Sequence, residues 1–336
     1  MQKILVTLGP SSLTKEVVQD CDKSDVYLYR INLSHTDLQD VAKIIKRIKM
    51  WTSTPICLDS EGAQLRNQKM KLDWTTLVKG EEVYIHFDEV IGDKNNLTLY
   101  PIGVAKQLVI GDIIRLDFNH ARLKVVKIKQ NYCTTIVEKS GSIGSNKAAD
   151  VNRKLNFDSL TQKDLSAIAV AKQLGVTNFA LSFTNTKKDV ELMRKICGPE
   201  ANIICKIESE QGLLNLPEIL QMADQILIDR GDLSRQIPIE KIPFLQRIII
   251  AKANEESKPV FVATNLLESM VTQQTPNRAE VNDAVSSLEM GASGLVLAAE
   301  TAIGKFPADA VRMIRKLIME NHKFKGGSTF KSILEG

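Results

Sequence analysis

NIICKIESEQGLLNLPEILQMADQILIDRGDL, residues 202–233, is the stretch on which the fold turns. An apolar, β-branched run from Asn202 to Ile207 passes through Glu208 and Ser209 into leucines and isoleucines at helical spacing, and a second apolar run starts at Gln225. Short apolar runs bounded by polar residues read as buried strands, and a helix between two of them implies parallel strands joined by a right-handed crossover. The same unit recurs on either side. KILVTL from Lys3, VYLYRINL from Val26, PICL from Pro55, FALSF from Phe179, PVFVA from Pro259 and GLVLA from Gly294 bring the set to eight runs. All but the third lead into an amphipathic stretch. Eight such units close a (β/α)8 TIM barrel of the α/β class. Thr161 with Asp164 and Thr186 with Asp189 form capping-box pairs that mark two helix starts, and Pro307 to about Met319 forms the helix that closes the ring.

The third run departs from the pattern. From Asn67 to about Asp150 the helical period is replaced by short alternating stretches such as Leu123 to Lys129, broken by Gly80, Gly92, Gly111 and the Gly141 to Asn146 turn cluster. This predicts barrel segments 1–66 and 151–325, an inserted β-barrel-like lid domain at 67–150, and a tail at 326–336. Inserted at the top of strand three, such a domain is expected to lie over the strand ends and to swing about hinges near Arg66 to Gln68 and Asp150 to Asn152.

The 336 residues are 43% apolar and 25% charged, with a net charge of +4 spread along the chain, which argues against disorder and against a nucleic-acid-binding tail. Cys21, Cys57, Cys133, Cys197 and Cys205 show no CxxC pairing and read as buried, reduced thiols. The sequence opens directly on the strand-like Lys3 to Leu8, with no signal-peptide core, and holds no apolar stretch long enough for a membrane span. A cytoplasmic protein without membrane or nucleic-acid partners is expected.

In a barrel, the polar residues that end the strands converge on one face. Arg30, Asn32 and Ser34 alternate at period two, with His35 next; Asp59 and Ser60 end the third run, with Arg66 soon after. Lys206 and Glu208 share one face of the fifth. Asp229, Arg230, Gly231 and Asp232 end the sixth, Thr264 and Asn265 the seventh, and Glu300 and Thr301 the eighth. Glu208 and Asp232 are hard oxygen ligands on neighbouring strands and suit Mg²⁺ or Mn²⁺. Asn32, Ser34, Asp59 and Ser60 form a less charged oxygen cluster suited to a monovalent cation such as K⁺. Lys206, Arg30, Arg66 and His35 supply donors for phosphate. Each has a plain structural alternative: Lys206–Glu208 as a salt bridge, Ser34 as a helix cap, Arg30 as the partner of Asp59. Compatible chemistry on six strand ends at once argues for a shared anion site.

These residues lie in stretches that resemble the pyruvate kinase family along nearly the whole chain: LVTLGPSS from Leu5, RINLSH from Arg30, LDSEGAQLR from Leu58, LTQKD from Leu160, CKIESEQG from Cys205, RGDL from Arg230, KPVFVATNLLESM from Lys258, NRAEVNDAV from Asn277 and AAETAIGKFP from Ala298. The resemblance implies transfer of a phosphoryl group between phosphoenolpyruvate and ADP, giving pyruvate and ATP. Lys206 would stabilise the group in flight with Arg30; Glu208 and Asp232 would hold Mg²⁺; Thr264 and the amides of Gly231 and Asp232 would bind the substrate carboxylate. Asn32, Ser34, Asp59 and Ser60 would hold K⁺, and Arg30, Asn32, His35, Arg66 and Lys147 would face the nucleotide. The partners implied are a small phosphorylated acid and a nucleotide, with a homo-oligomer as a further option.

The chain departs from the family pattern at several positions. SGET is replaced by Ala298, Ala299, Glu300 and Thr301, which removes a hydroxyl from the proton relay at the enolate. Asp229 replaces the alanine before RGD, near the substrate, and Ser234 replaces the glycine after RGDL. Glu61, Ala63 and Gln64 change the TKGPE stretch and weaken the expectation of K⁺ dependence, and Asp117 is followed by Phe118 and Asn119 in place of an aspartate and a glycine. The sequence ends after the eighth helix, so the family's C-terminal regulatory domain is not expected. The phosphotransferase remains the leading reading, and the departures motivate two alternatives: a related barrel enzyme acting on another 2-oxo acid or enolate, or a non-catalytic binding homologue.

Overall fold

The structure, a computed structural model, describes residues 2–335 except 63, 118, 119, 154, 157 and 325–327. Ala63, Phe118 and Asn119, three of the substituted positions, therefore lie outside the described residues. The chain divides into two compact units, 1–62 with 162–336, and 63–161.

The first unit is a closed barrel of eight parallel strands: β1 (Lys3–Thr7), β2 (Val26–Asn32), β3 (Ile56–Asp59), β4 (Asn178–Leu181), β5 (Asn202–Ile207), β6 (Gln225–Asp229), β7 (Val260–Ala263) and β8 (Gly294–Leu297). Each strand pairs with its neighbours in sequence, and β8 returns to β1 with Ile4 opposite Leu295. The seam is fastened by side chains as well, the Thr7 hydroxyl donating to the Leu297 carbonyl at 2.8 Å and the Thr301 hydroxyl to the Thr7 carbonyl at 2.8 Å. Strands buried on both faces explain the unbroken apolar runs in the sequence. All eight contribute to one core, including Leu28, Cys57, Ile204, Leu227, Phe261 and Val296. Burying each large side chain there stabilises the fold by roughly 1.5–3 kcal/mol.

The capping box at Thr186 and Asp189 forms as its spacing predicts, at the head of helix Lys187–Cys197. Asp164, inside helix Gln162–Gln173, is fully buried and accepts hydrogen bonds from the amides of Glu61 and Gly62 at 2.7 and 3.2 Å, which ties down the backbone just beyond β3. Ser34 does not cap the helix that follows it. That helix, Leu38–Trp51, has Asp37 at its N-cap, and Ser34 lies in a 3₁₀ turn over Leu33–His35. The period-two alternation of Arg30, Asn32 and Ser34 thus stops at Asn32. Pro307 opens the last barrel helix, Pro307–Lys323, where its missing N–H costs no helical hydrogen bond.

The second unit is itself a closed barrel of seven strands, in the order Tyr132–Lys139, Glu82–His86, Asn96–Tyr100, Leu65–Asn67, Ala148–Val151, Ile113–Leu116, Ala121–Ile128. A separate antiparallel pair joins Thr75–Leu77 to Gly141–Ile143. Its borders fall at 62/63 and 161/162 rather than at 66/67 and 150/151. The reason is long-range pairing: Leu65–Asn67 bonds to Asn96–Tyr100 and to Ala148–Val151, so Arg66 belongs to this sheet. Among the described residues, no helix is long and apolar enough to cross a membrane.

Candidate active site

The ends of β2, β3, β5 and β6 bring charged side chains together in the first unit. Lys206, near the end of β5, is under a tenth exposed and lies among three carboxylates: Glu208 Oε1 at 2.8 Å, Asp59 Oδ2 at 3.3 Å and Asp229 Oδ2 at 3.6 Å. It also donates to Ser182 Oγ at 3.1 Å, and that hydroxyl donates onward to Asp59 Oδ1 at 3.2 Å. Arg30 donates to Asp59 Oδ2 at 3.0 Å and to the Thr7 hydroxyl at 2.9 Å. Both the salt bridge Lys206–Glu208 and the pair Arg30–Asp59 therefore exist, but as parts of one buried network.

Charge inside this network is fixed by its neighbours. Burial works against the ammonium of Lys206, but Asp59, Glu208 and Asp229 together outweigh it and hold its pKa well above the ordinary lysine range. Burial pushes the Glu208 carboxyl up to about 8, with Asp232 and Asp229 adding to the rise and Lys206 opposing it. Burial also acts to raise Asp229, but Lys206, the Thr264 hydroxyl and Arg30 prevail and keep it below the usual carboxylate range.

A test of this electrostatic picture follows from linkage. Glu208 binds its proton more tightly folded than unfolded, where 4.5 is the reference value, so its contribution is complete below about 4.5 and is lost as pH rises through about 8. Thermal melts of metal-free protein should show Glu208→Gln matching wild type near pH 5 and exceeding it by several degrees near pH 8. A gap independent of pH would show that Glu208 is not the titrating group.

β6 ends at Asp229 and turns into the short helix Arg230–Leu233. The turn is tight: a Cβ on Gly231 would meet Thr264 Cγ2 at 2.7 Å. Thr264 itself has φ +77 and Asn265 φ +55, and a left-handed β-branched residue carries backbone strain of the kind found at ligand sites. This conformation delivers the Thr264 hydroxyl to Asp229 Oδ1 at 2.6 Å. Asp232 is partly exposed and paired with Arg235 at 3.0 Å. Arg230 does not neutralise Asp229. Its guanidinium binds Asp283 at 2.7 Å and the carbonyls of Ala263 and Thr264, because the strand's alternation ends at Asp229 and the helical turn carries the next side chain away.

Oxygens of Glu208, Asp229 and Asp232 lie within 4.8 Å of one another. Glu208 Oε2 accepts from the Phe183 amide at 2.6 Å, whereas the buried Oε1 accepts no hydrogen bond among the described residues and has only the ionic contact to Lys206. A buried carboxylate oxygen whose one partner is an ammonium, beside two more carboxylates, fits Mg²⁺ or Mn²⁺. The K⁺ set fits less well. Asn32 is opposite Asp59 in register, but Asn32 Oδ1 accepts from the Ser34 amide at 2.9 Å, Ser60 Oγ from the Ser182 amide at 3.0 Å, and Asp59 already carries two cations. Beside them the ammonium of Lys163 bonds the Leu33 carbonyl at 2.6 Å and Glu61 at 2.8 Å.

The remaining expected residues divide between the two units. His35 is exposed in its turn. Arg66 and Lys147 belong to the second unit, where Arg66 donates to the Asn146 carbonyl at 2.9 Å and Lys147 lies 3.8 Å from Asp117. Glu300 accepts from the amides of Leu267 and Ala298, and so braces the ends of β7 and β8. Sequence reasoning overlooked Ser182, which links Lys206 to Asp59. It follows β4 directly, and the strand-end rule that selected Asp59 and Thr264 applies to it equally.

Comparison with known proteins agrees with this arrangement. Residues 1–311 match the family model for the pyruvate kinase barrel domain. The chain is 33% identical to a pyruvate kinase of Thermococcus litoralis, over 96% of this chain and 70% of that protein. The Thermotoga maritima enzyme is also 33% identical, over 96% and 71%, and that of Bacillus licheniformis 31%, over 96% and 58%. With Lys206, Glu208 and the RGD turn on successive strands of a closed eight-stranded barrel, the chain belongs to the pyruvate kinase family.

Proposed function

We propose that the chain is a phosphotransferase that moves a phosphoryl group between phosphoenolpyruvate and ADP, forming pyruvate and ATP. The observation that carries this reading is Lys206, a buried ammonium held charged by Asp59, Glu208 and Asp229 at the strand ends. Phosphoryl transfer needs positioning and neutralisation of spreading negative charge, which a fixed, desolvated cation supplies without reorganising. Glu208 and Asp232 would hold Mg²⁺ or Mn²⁺, which when bound neutralises phosphate and carboxylate oxygens. Arg30 and Ser182 keep Asp59 and Lys206 aligned, and the strained Thr264 turn presents its hydroxyl to Asp229. The amides of Gly231 and Asp232 would bind a substrate carboxylate, and Arg30, Asn32 and His35 of the first unit would offer contacts to a nucleotide. Five buried thiols support a reducing, cytoplasmic setting.

Pyruvate formation from phosphoenolpyruvate and ADP, followed by coupling to lactate dehydrogenase, tests the reading. Activity should require Mg²⁺ or Mn²⁺ and should change less than about twofold on adding K⁺, since the groups around Asp59 are satisfied internally. Absence of pyruvate under all these conditions would reject it. One observation favours the second reading, a related enzyme acting on another 2-oxo acid or enolate: Asp229 takes the Thr264 hydroxyl, and Ala298 offers none.

A further inference from the structure

We propose that Asp229 is a third carboxylate ligand of the divalent cation, so that this chain binds the ion without help from a phosphorylated substrate. The inference rests on the reading of Glu208 and Asp232 as metal ligands and extends it to a residue that the family pattern lacks. Three observations carry it. Oxygens of Asp229, Glu208 and Asp232 all lie within 4.8 Å of one another, and the first two residues are buried. Glu208 Oε1, wholly buried in this cluster, lies 2.8 Å from the Lys206 ammonium and has no other polar partner among the described residues. The Thr264 hydroxyl holds Asp229 through Oδ1 at 2.6 Å, while Oδ2 stands 3.6 Å from Lys206 Nζ, beyond hydrogen-bond reach.

The charge balance of the cluster points the same way. Asp59, Glu208, Asp229 and Asp232 bring four negative charges when ionised, against three positive charges on Arg30, Lys206 and Arg235. With all four ionised, as a bound cation would hold them, one negative charge is left over, and Asp229 is the residue that supplies it. With alanine at that position the same cluster would be neutral, and a divalent ion would depend more on oxygens brought by the substrate. With aspartate, three carboxylate groups are gathered beforehand, and a larger number of carboxylate ligands raises affinity for such ions. Buried, like-charged carboxylates are costly to keep apart from a counterion, so the ion is also expected to stabilise the fold.

Mn²⁺ binding to chelator-stripped protein, followed by electron paramagnetic resonance and by calorimetry without any substrate, tests this. Wild type should bind one tight Mn²⁺. Asp229→Asn, which keeps the side-chain volume, and Asp229→Ala should each weaken that binding by about tenfold or more, and Glu208→Gln should abolish it. Circular dichroism and melting curves establish that each variant is folded. If Asp229→Asn and Asp229→Ala keep the wild-type Kd while Glu208→Gln loses the ion, the two-ligand site stands and the proposal fails. If wild type binds Mn²⁺ only after phosphoenolpyruvate is added, the proposal fails in the same way. If Glu208→Gln binds as wild type does, the ion is elsewhere, and the underlying reading of the site is overturned with it.

Discussion

Lys206→Met should lower the turnover of pyruvate formation by about 10²–10³-fold, the usual cost of deleting one preorganised group that stabilises transition-state charge. The same change should destabilise the metal-free protein by about 3–5 kcal/mol, because three carboxylates within 3.6 Å of the ammonium would lose their shared cation in a buried site. The two effects separate on adding a divalent ion. Held by Glu208 and Asp232 as proposed, Mn²⁺ would bring positive charge to the cluster and should restore much of the lost melting temperature while leaving turnover low, since the ion would not take the place of the ammonium between Asp59 and Glu208. Turnover within tenfold of wild type would show that Lys206 is a structural cation only. The variant is measured with and without Mn²⁺ so that a folding defect is not mistaken for a chemical one.

Asp229→Ala combined with Ala298→Ser should raise phosphoenolpyruvate-dependent turnover by at least about tenfold at saturating Mg²⁺, roughly 1.4 kcal/mol off the barrier. The carboxylate of Asp229 occupies the Thr264 hydroxyl at 2.6 Å and faces Lys206, so it engages the donor and the cation that an anionic substrate would use. Its lowered pKa keeps it charged at neutral pH, and an ionised group beside an anionic substrate costs binding. Serine at position 298 would return a hydroxyl for proton delivery to the enolate carbon, where a positioned donor typically contributes about 100-fold or more. Because removing Asp229 is also expected to weaken the metal, the comparison is made at several Mg²⁺ concentrations. A wild-type protein already as fast as its relatives, with no gain in the double variant, would show that neither departure matters to the reaction.

The barrel was legible because its strands are buried on both faces, which leaves eight short, nearly unbroken β-branched runs, and because every run but the third is followed by helical spacing. The convergence of Arg30, Asp59, Lys206, Glu208 and Asp229 was legible from one rule, that polar residues ending parallel strands meet on one face. The same rule failed one residue further on. Arg230 follows a strand but belongs to a helical turn, so its direction owes nothing to the strand's alternation, and it bonds Asp283 instead. Ser182 carried no charge to draw notice within FALSF, though its hydroxyl is central to the network. The borders of the inserted unit were misplaced for another reason. Leu65–Asn67 is only three residues long, and its partners lie at Asn96–Tyr100 and Ala148–Val151, a pairing that no local pattern reveals.

The five cysteines offer a practical handle on how this protein opens. All are free and buried, and burial pushes the thiols of Cys21, Cys197 and Cys205 up to about 12 and that of Cys133 up to about 11. Thiolates, not thiols, attack alkylating reagents, so the folded chain should be almost inert to them at neutral pH, and each cysteine should react only when its surroundings part. Cys133 is in the seven-stranded unit and the other four are in the eight-stranded one. A time course of labelling in mild denaturant, resolved by mass spectrometry, would thus clock the breathing of the two units separately in the native sequence, with no engineered probe.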